Sequence, residues 1–129
     1  MKNLNISKTD TFHMMFYNCS KLTSIDLSSF NTSHITKMAY LFYGCSSLTS
    51  IDLSNFDTSN VTDMSYMFYK CQNLTSLNLS NFNTSKVTNF MGMFNGCKGL
   101  TSLNLSNFDT SAATNKSQLF SDCTNIQTC

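Results

Sequence analysis

The residues of this chain that could do chemistry recur at a fixed interval. Cys19, Cys45, Cys71, Cys97 and Cys123 each stand 26 positions after the one before. A thiolate is a nucleophile, a soft metal ligand and half of a disulfide, so three chemistries are open at such positions. Zinc needs ligands converging on one point, most often from a C-x-x-C pair, and the chain has no such pair. Neighbouring members of a stacked column lie at a permissible separation for a disulfide, but their side chains point in parallel rather than toward each other. Cysteine is also a good small buried residue. The favoured reading is a column of reduced structural thiols, with disulfides or a metal site as alternatives. No metal and no cofactor is expected. Cys129 falls out of phase and is the thiol expected to be reactive. His13 and His34 occupy different phases, so no repeated His–Cys pair arises and no catalytic residue is assigned. The chain is expected not to be an enzyme.

The elements that position these thiols are written by the same period. Leu22-Thr23-Ser24-Ile25-Asp26-Leu27 returns as residues 48–53, 74–79 and 100–105, with Leu for Ile and Asn for Asp in the later copies. The pattern L-x-x-L-x-L marks a leucine-rich repeat, in which each unit gives one short strand and a returning arch to a solenoid. The chain then divides into a partial coil at 1–21, full repeats at 22–47, 48–73, 74–99 and 100–125, and the start of a further strand at 126–129. Because it enters and leaves part-way through a unit, it is expected to be a piece of a longer protein.

Period-2 alternation sends Leu48, Ile51 and Leu53 inward and Ser50, Asp52 and Ser54 outward. Phe56 returns to the core in register with Phe30, Phe82 and Phe108, a polar turn follows at 57–60, and Val61 re-enters. Thr62 is then placed to cap a short helix, because Met64, Met67, Phe68 and Cys71 fall at i, i+3, i+4 and i+7. Asn18, Gly44, Gly96 and Asp122, which tolerate the left-handed conformation, precede four of the cysteines; Lys70 stands at that position in the third coil. The expected fold is an α/β repeat: a solenoid of about five coils, each a short parallel β-strand plus a short helix on the arch. The last unit departs from the pattern at Ala112, Ala113, Lys116 and Ser117.

The shared signature L-T-S-[IL]-[DN]-L-S-x-F-[DN]-T-S-x-[VI]-T-x-M-x-x-[ML]-F-x-x-C resembles the BspA-like leucine-rich repeats of bacterial surface proteins. Residues 22–125 cover four units of it, and residues 4–21 fit the end of a fifth. The resemblance implies a right-handed solenoid with strands on one face, in secreted or cell-surface proteins that adhere to host proteins, host cells or other microbes. It transfers no catalytic residue.

Two surfaces are candidates for binding. The strand face carries a polar ladder of Ser24 and Asp26, Ser50 and Asp52, Ser76 and Asn78, and Ser102 and Asn104. It is nearly invariant, which suits either simple solubility or a repetitive ligand such as a polysaccharide. Asp26 and Asp52 on adjacent coils could share a cation, but the asparagines dilute that charge. Variation concentrates on the arch, where one phase reads His34, Asn60, Lys86, Ala112 and another Lys37, Asp63, Asn89, Asn115. There Tyr17, Tyr43 and Tyr69 share one phase, and Tyr40 and Tyr66 another. Tyrosine joins apolar area to a polar tip, so these five are the leading ligand-binding candidates; the alternative is that the rings only pack on one another.

Eight lysines stand against seven aspartates, with neither arginine nor glutamate. That balance excludes the electrostatic footprint of a nucleic-acid binder. No apolar run is long enough to span a membrane, and the segment from Met1 to Ser7 has no apolar core for a signal peptide. The expected function is therefore a non-catalytic binding module of a bacterial cell-surface or secreted adhesin, recognising protein or glycan ligands, as a monomer or with weak end-to-end association. The competing class is a cytoplasmic protein–protein interaction scaffold.

Overall fold

Each 26-residue unit closes on itself through a succession of reverse turns. In the computed structural model, which describes residues 9–123 and 127–128, the second coil shows the pattern. The amides of Phe30, Ile35, Leu41, Tyr43, Cys45 and Leu48 donate to the carbonyls three residues back, those of Leu27, Thr32, Met38, Tyr40, Phe42 and Cys45. Polar residues set these corners. The carboxylate of Asp57, for example, accepts from the Ser59 amide at 2.9 Å and from its hydroxyl at 2.6 Å, a side chain standing in for a turn of backbone.

Coils stack through a parallel ladder on the arch. Thr11, Lys37, Asp63, Asn89 and Asn115 form successive parallel bridges. Beyond each bridge alternate amides donate to the following coil: Met38 to Asp63, Tyr40 to Ser65, Phe42 to Met67 and Gly44 to Tyr69, at 2.9, 2.9, 2.9 and 2.7 Å. The result is a repeat solenoid whose cross-coil hydrogen bonds follow the chain period.

Two sequence expectations are corrected here. Among the described residues no α-helix forms on the arch. Tyr40 and Tyr66 sit mid-segment at φ 61° and 55°, as do Met14, Gly92 and Gln118 in the other coils, and a right-handed helix requires negative φ throughout. The segment is instead a ribbon of turns whose amides alternate between the carbonyl three residues back and the next coil. This ribbon also brings Met64, Met67, Phe68 and Cys71 to one side, and all four are buried. Thr62 consequently caps nothing: its amide and hydroxyl both donate to the Thr36 carbonyl.

The leucine segment is also less strand-like than its alternation suggests. Among the described residues regular strand pairing is confined to β1 (Ser102–Leu103) and β2 (Gln127–Thr128), which run parallel with Ser102 opposite Gln127. In the earlier units the Thr75 amide reaches the Thr49 carbonyl at 3.2 Å. The Oδ1 atoms of Asp26, Asp52, Asn78 and Asn104 take the amide two residues ahead, which bends the backbone out of a ladder just as the strand would continue. Leu4, Ile126 and Cys129, the side chain of Ser102, and the expectations attached to them lie outside the described residues.

Side-chain packing holds this face. Leu48, Leu53, Leu74, Leu79, Leu100 and Leu103 are buried, each worth about 1.5–3 kcal/mol before entropy is subtracted. Phe30, Phe56 and Phe82 are buried as well, but the continuous ring stack runs elsewhere. Phe16, Phe42, Phe68, Phe94 and Phe120 lie at successive centroid distances of 5.6, 5.8, 5.8 and 5.7 Å, nearly parallel. In the last coil Phe108, Leu119, Phe120 and Cys123 are only half-buried and Lys116 is exposed.

Candidate functional site

The five tyrosines meet on one side of the first three coils. The left-handed backbone at Tyr40 and Tyr66, and again two residues after Phe16, Phe42 and Phe68, turns the chain so that one ring on each side of the buried phenylalanine reaches the surface. Tyr17, Tyr43 and Tyr69 stack at 4.7 and 4.4 Å with interplanar angles of 16° and 18°. Tyr40 and Tyr66 stack beside them at 5.1 Å. A tilted contact from Tyr40 to Tyr43 and an edge-on one from Tyr66 to Tyr69, both at 5.5 Å, join the two columns. His13 abuts Tyr40 edge-on at 5.5 Å, and the Lys70 ammonium lies 5.3 Å from the Tyr69 centroid. Tyr17 is 40% exposed and the other four are half-buried.

The rings pack on one another and remain at the surface. Within each column the faces that stack are turned to one another, Tyr17 to Tyr43 to Tyr69 and Tyr40 to Tyr66. Burial, then the neighbouring Tyr69 and Tyr17, pushes the Tyr43 hydroxyl above its ordinary value. Burial, then Tyr66, does the same for Tyr40.

Gly92 bounds the patch. It occupies the phase of Tyr40 and Tyr66 at φ 61°, and a Cβ there would come within 2.6 Å of Tyr66 Cε1. The Tyr66 ring fills the space that this glycine leaves. The second left-handed position of each arch was not read from the sequence, although Gly92 was the one residue that marked it.

The polar ladder is placed at the surface, with Ser24, Asp26, Ser50, Asp52, Ser76, Asn78 and Asn104 exposed. Its acidic groups are engaged locally. Asp26 Oδ1 accepts the Ser28 amide at 3.0 Å and hydroxyl at 2.6 Å, and Asp52 is held below the usual carboxylate value by its hydrogen bonds from Ser54. A shallow recess lies between them, lined by Asp26, Ser28, Asp52, Ser54 and Asn55. Among the described residues no three metal-ligating side chains gather.

The thiols run through the core as a column of donors. Cys45, Cys71, Cys97 and Cys123 place Sγ at 3.2, 3.2, 3.0 and 2.8 Å from the carbonyls of Phe16, Phe42, Phe68 and Phe94 in the preceding coil. Burial pushes Cys45 and Cys97 up to about 12, and Cys71 higher still. Such thiols are poor nucleophiles. Cys19, at the edge, is half-buried, and no disulfide joins the described cysteines.

Two further side-chain columns went unread in the sequence. Thr32, Thr58 and Thr84 are 1% exposed, and each hydroxyl both donates to and accepts from one residue of the next coil, Asp57, Asn83 and Asp109 respectively. The Asn81 amide donates to the Leu53 and Phe56 carbonyls at 3.0 and 2.9 Å, and Asn55 and Asn107 repeat it. These residues looked like ordinary turn formers. Only their recurrence in one phase signalled more.

No curated protein matches the chain. Among solved structures it is similar to a leucine-rich repeat protein from Bacteroides ovatus, at 18% identity and a TM-score of 0.48, over 90% of this chain and 33% of that one. This chain therefore spans about a third of that protein's length. The family model described as "Mycoplasma protein of unknown function, DUF285" matches residues 1–78 and again 49–128, and the chain belongs to that family.

Proposed function

We propose that this solenoid is the non-catalytic, ligand-binding part of a bacterial cell-surface or secreted adhesin, of the right-handed leucine-rich-repeat type that its signature resembles. The observation that carries the reading is the tyrosine patch. Five half-exposed rings, held by stacking on a backbone whose amides are bonded coil to coil, form a surface with little rotamer freedom left to lose on binding. Recognition of one partner also needs surface that differs from coil to coil. The patch ends at Gly92 and Asn95, whereas the ladder of serines, aspartates and asparagines repeats almost unchanged.

A protein ligand is thus expected on the tyrosine face. The test immobilises a panel of extracellular-matrix proteins and a glycan array and measures binding of three forms of the chain, with a melting curve on each. Tyr43→Ala combined with Tyr69→Ala should lose tenfold or more in affinity for a matrix protein, about 1.4 kcal/mol, while Asp52→Ala loses little. A glycan ligand with the order reversed would move the site to the ladder. Finding the parent protein in the cytoplasm of fractionated cells would replace the adhesin with an intracellular scaffold.

A further inference from the structure

We propose that Tyr43 and Tyr69 form a site of oxidative cross-linking, at which a one-electron oxidant of the haem-peroxidase class joins two adjacent coils through an intramolecular dityrosine bond. The inference is independent of which ligand the solenoid binds. It rests on a closely stacked ring pair, 4.4 Å between centroids and 18° from parallel. The two residues occupy one phase of adjacent coils, so the cross-coil bond from the Gly44 amide to the Tyr69 carbonyl, at 2.7 Å, holds their backbones in register. In-register parallel rings bring like atoms together, and the ortho carbons that must bond are like atoms.

The chemistry closes without further reactants. A peroxidase activated by one hydrogen peroxide takes a hydrogen atom from each of two phenols and returns two waters. The two phenoxyl radicals pair their electrons in a bond between a Cε of Tyr43 and a Cε of Tyr69. Each of those carbons then gives up its hydrogen, which returns to the ring's own oxygen and restores the phenol. The protein loses two hydrogen atoms in total.

The surroundings steer oxidation to this pair. Tyr17 and Tyr40 lie 4.7 and 5.5 Å from Tyr43, and Tyr66 lies 5.5 Å from Tyr69, so a radical formed on any exposed ring has aromatic neighbours within reach of the pair. Three thiols that would compete as reductants are withdrawn: Cys45, Cys71 and Cys97 are buried and donate their thiol hydrogens to carbonyls. The product would tie the second coil to the third by a covalent bond, where hydrogen bonds and side-chain packing now join them.

The experiment treats the folded chain with horseradish peroxidase and hydrogen peroxide and follows dityrosine fluorescence, gel mobility and intact mass. The expected product is monomeric, lighter by two hydrogens, fluorescent, and melts higher than the untreated protein. Cleavage before aspartate separates Tyr43 (peptide 26–51) from Tyr69 (peptide 63–108), so the bond should appear as those two peptides joined. Tyr43→Phe should cut the yield of joined peptide at least fivefold, and Tyr40→Phe should leave most of it. The same treatment in denaturant should remove the preference for the intramolecular product. Dityrosine found only in dimers, or a Tyr43→Phe yield equal to that of the parent, would overturn the proposal.

Discussion

Thr58 carries its hydroxyl into the core at 1% exposure and meets two backbone groups of the next coil, donating to the Asn83 carbonyl at 2.9 Å and accepting from the Asn83 amide at 2.9 Å. Valine has nearly the same shape and neither capacity. Replacement would remove two part-buried hydrogen bonds, one to the Asn83 carbonyl and one from the Asn83 amide, at roughly 0.5–1.5 kcal/mol for each. Thr58→Val is therefore expected to destabilise the fold by about 1–3 kcal/mol, and Thr58→Ser, which keeps the hydroxyl, by about 1 kcal/mol or less. Denaturant titration of the two variants decides it. Equal losses would mean that shape rather than hydrogen bonding matters there. The thiol column follows similar logic at smaller scale, since each sulfur also spans two coils. A pattern of Thr or Cys at one phase reads as composition in the sequence. That these side chains replace main-chain pairing between coils follows only from where the carbonyls lie.

At the scale of the element, the arch shows how far spacing alone carries an inference. Met64, Met67, Phe68 and Cys71 were legible as one buried face, and they are one. Helix and turn ribbon both deliver that face, so apolar periodicity does not separate them. What separates them is backbone handedness at two stations per coil; Asn18, Gly44, Gly96 and Asp122 advertise one of them by residue type, and Gly92 the other. Lys70 occupies such a station at φ 56° where its counterparts are Gly44 and Gly96. A side chain in that region costs on the order of 1–2 kcal/mol, offset here by about 0.5 kcal/mol from the ammonium over the half-buried Tyr69 ring. Lys70→Gly should accordingly raise stability by about 0.5–1 kcal/mol. Gly96→Ala should lower it by about 1–2 kcal/mol, because φ is 81° and the new Cβ would sit 3.3 Å from the Lys70 Cα. Thermal melts of both variants read the two signs. A loss in Lys70→Gly would show that the lysine contributes more through its stem and charge than the backbone strain removes. The tyrosine grouping was likewise readable from phase, whereas the choice between faces and edges was not, because it depends on how closely the coils approach.

At the scale of the whole molecule the cross-coil hydrogen bonds join each coil to its immediate neighbours, so stability accumulates by repeats and interfaces rather than around one centre. The period, the inward positions and the unusual last unit were all visible as residue types, because burial in a stacked array imprints every coil alike. Their energetic consequence is a gradient. In the third coil the amides of Met64, Tyr66, Phe68 and Lys70 donate to Asn89, Met91, Met93 and Asn95 at 3.0, 2.8, 2.9 and 2.7 Å, over a core that is fully buried. The same stations in the last described coil are Lys116, Gln118, Phe120 and Asp122, and no further described coil lies beyond them to accept. Phe108, Leu119 and Cys123 beneath them are half-buried, and Lys116 stands where the other coils place Phe or Met. Native-state hydrogen exchange on this chain should therefore find slowest exchange at Phe42 and Phe68 and fastest at Phe120 and Asp122, by a factor of about a hundred or more, or about 2.7 kcal/mol, if the last coil opens by itself. Equal protection from the second coil to the last would mean that the stack opens only as a unit. The interfaces would then outweigh the intrinsic cost of folding each coil by more than the packing of the fifth coil suggests.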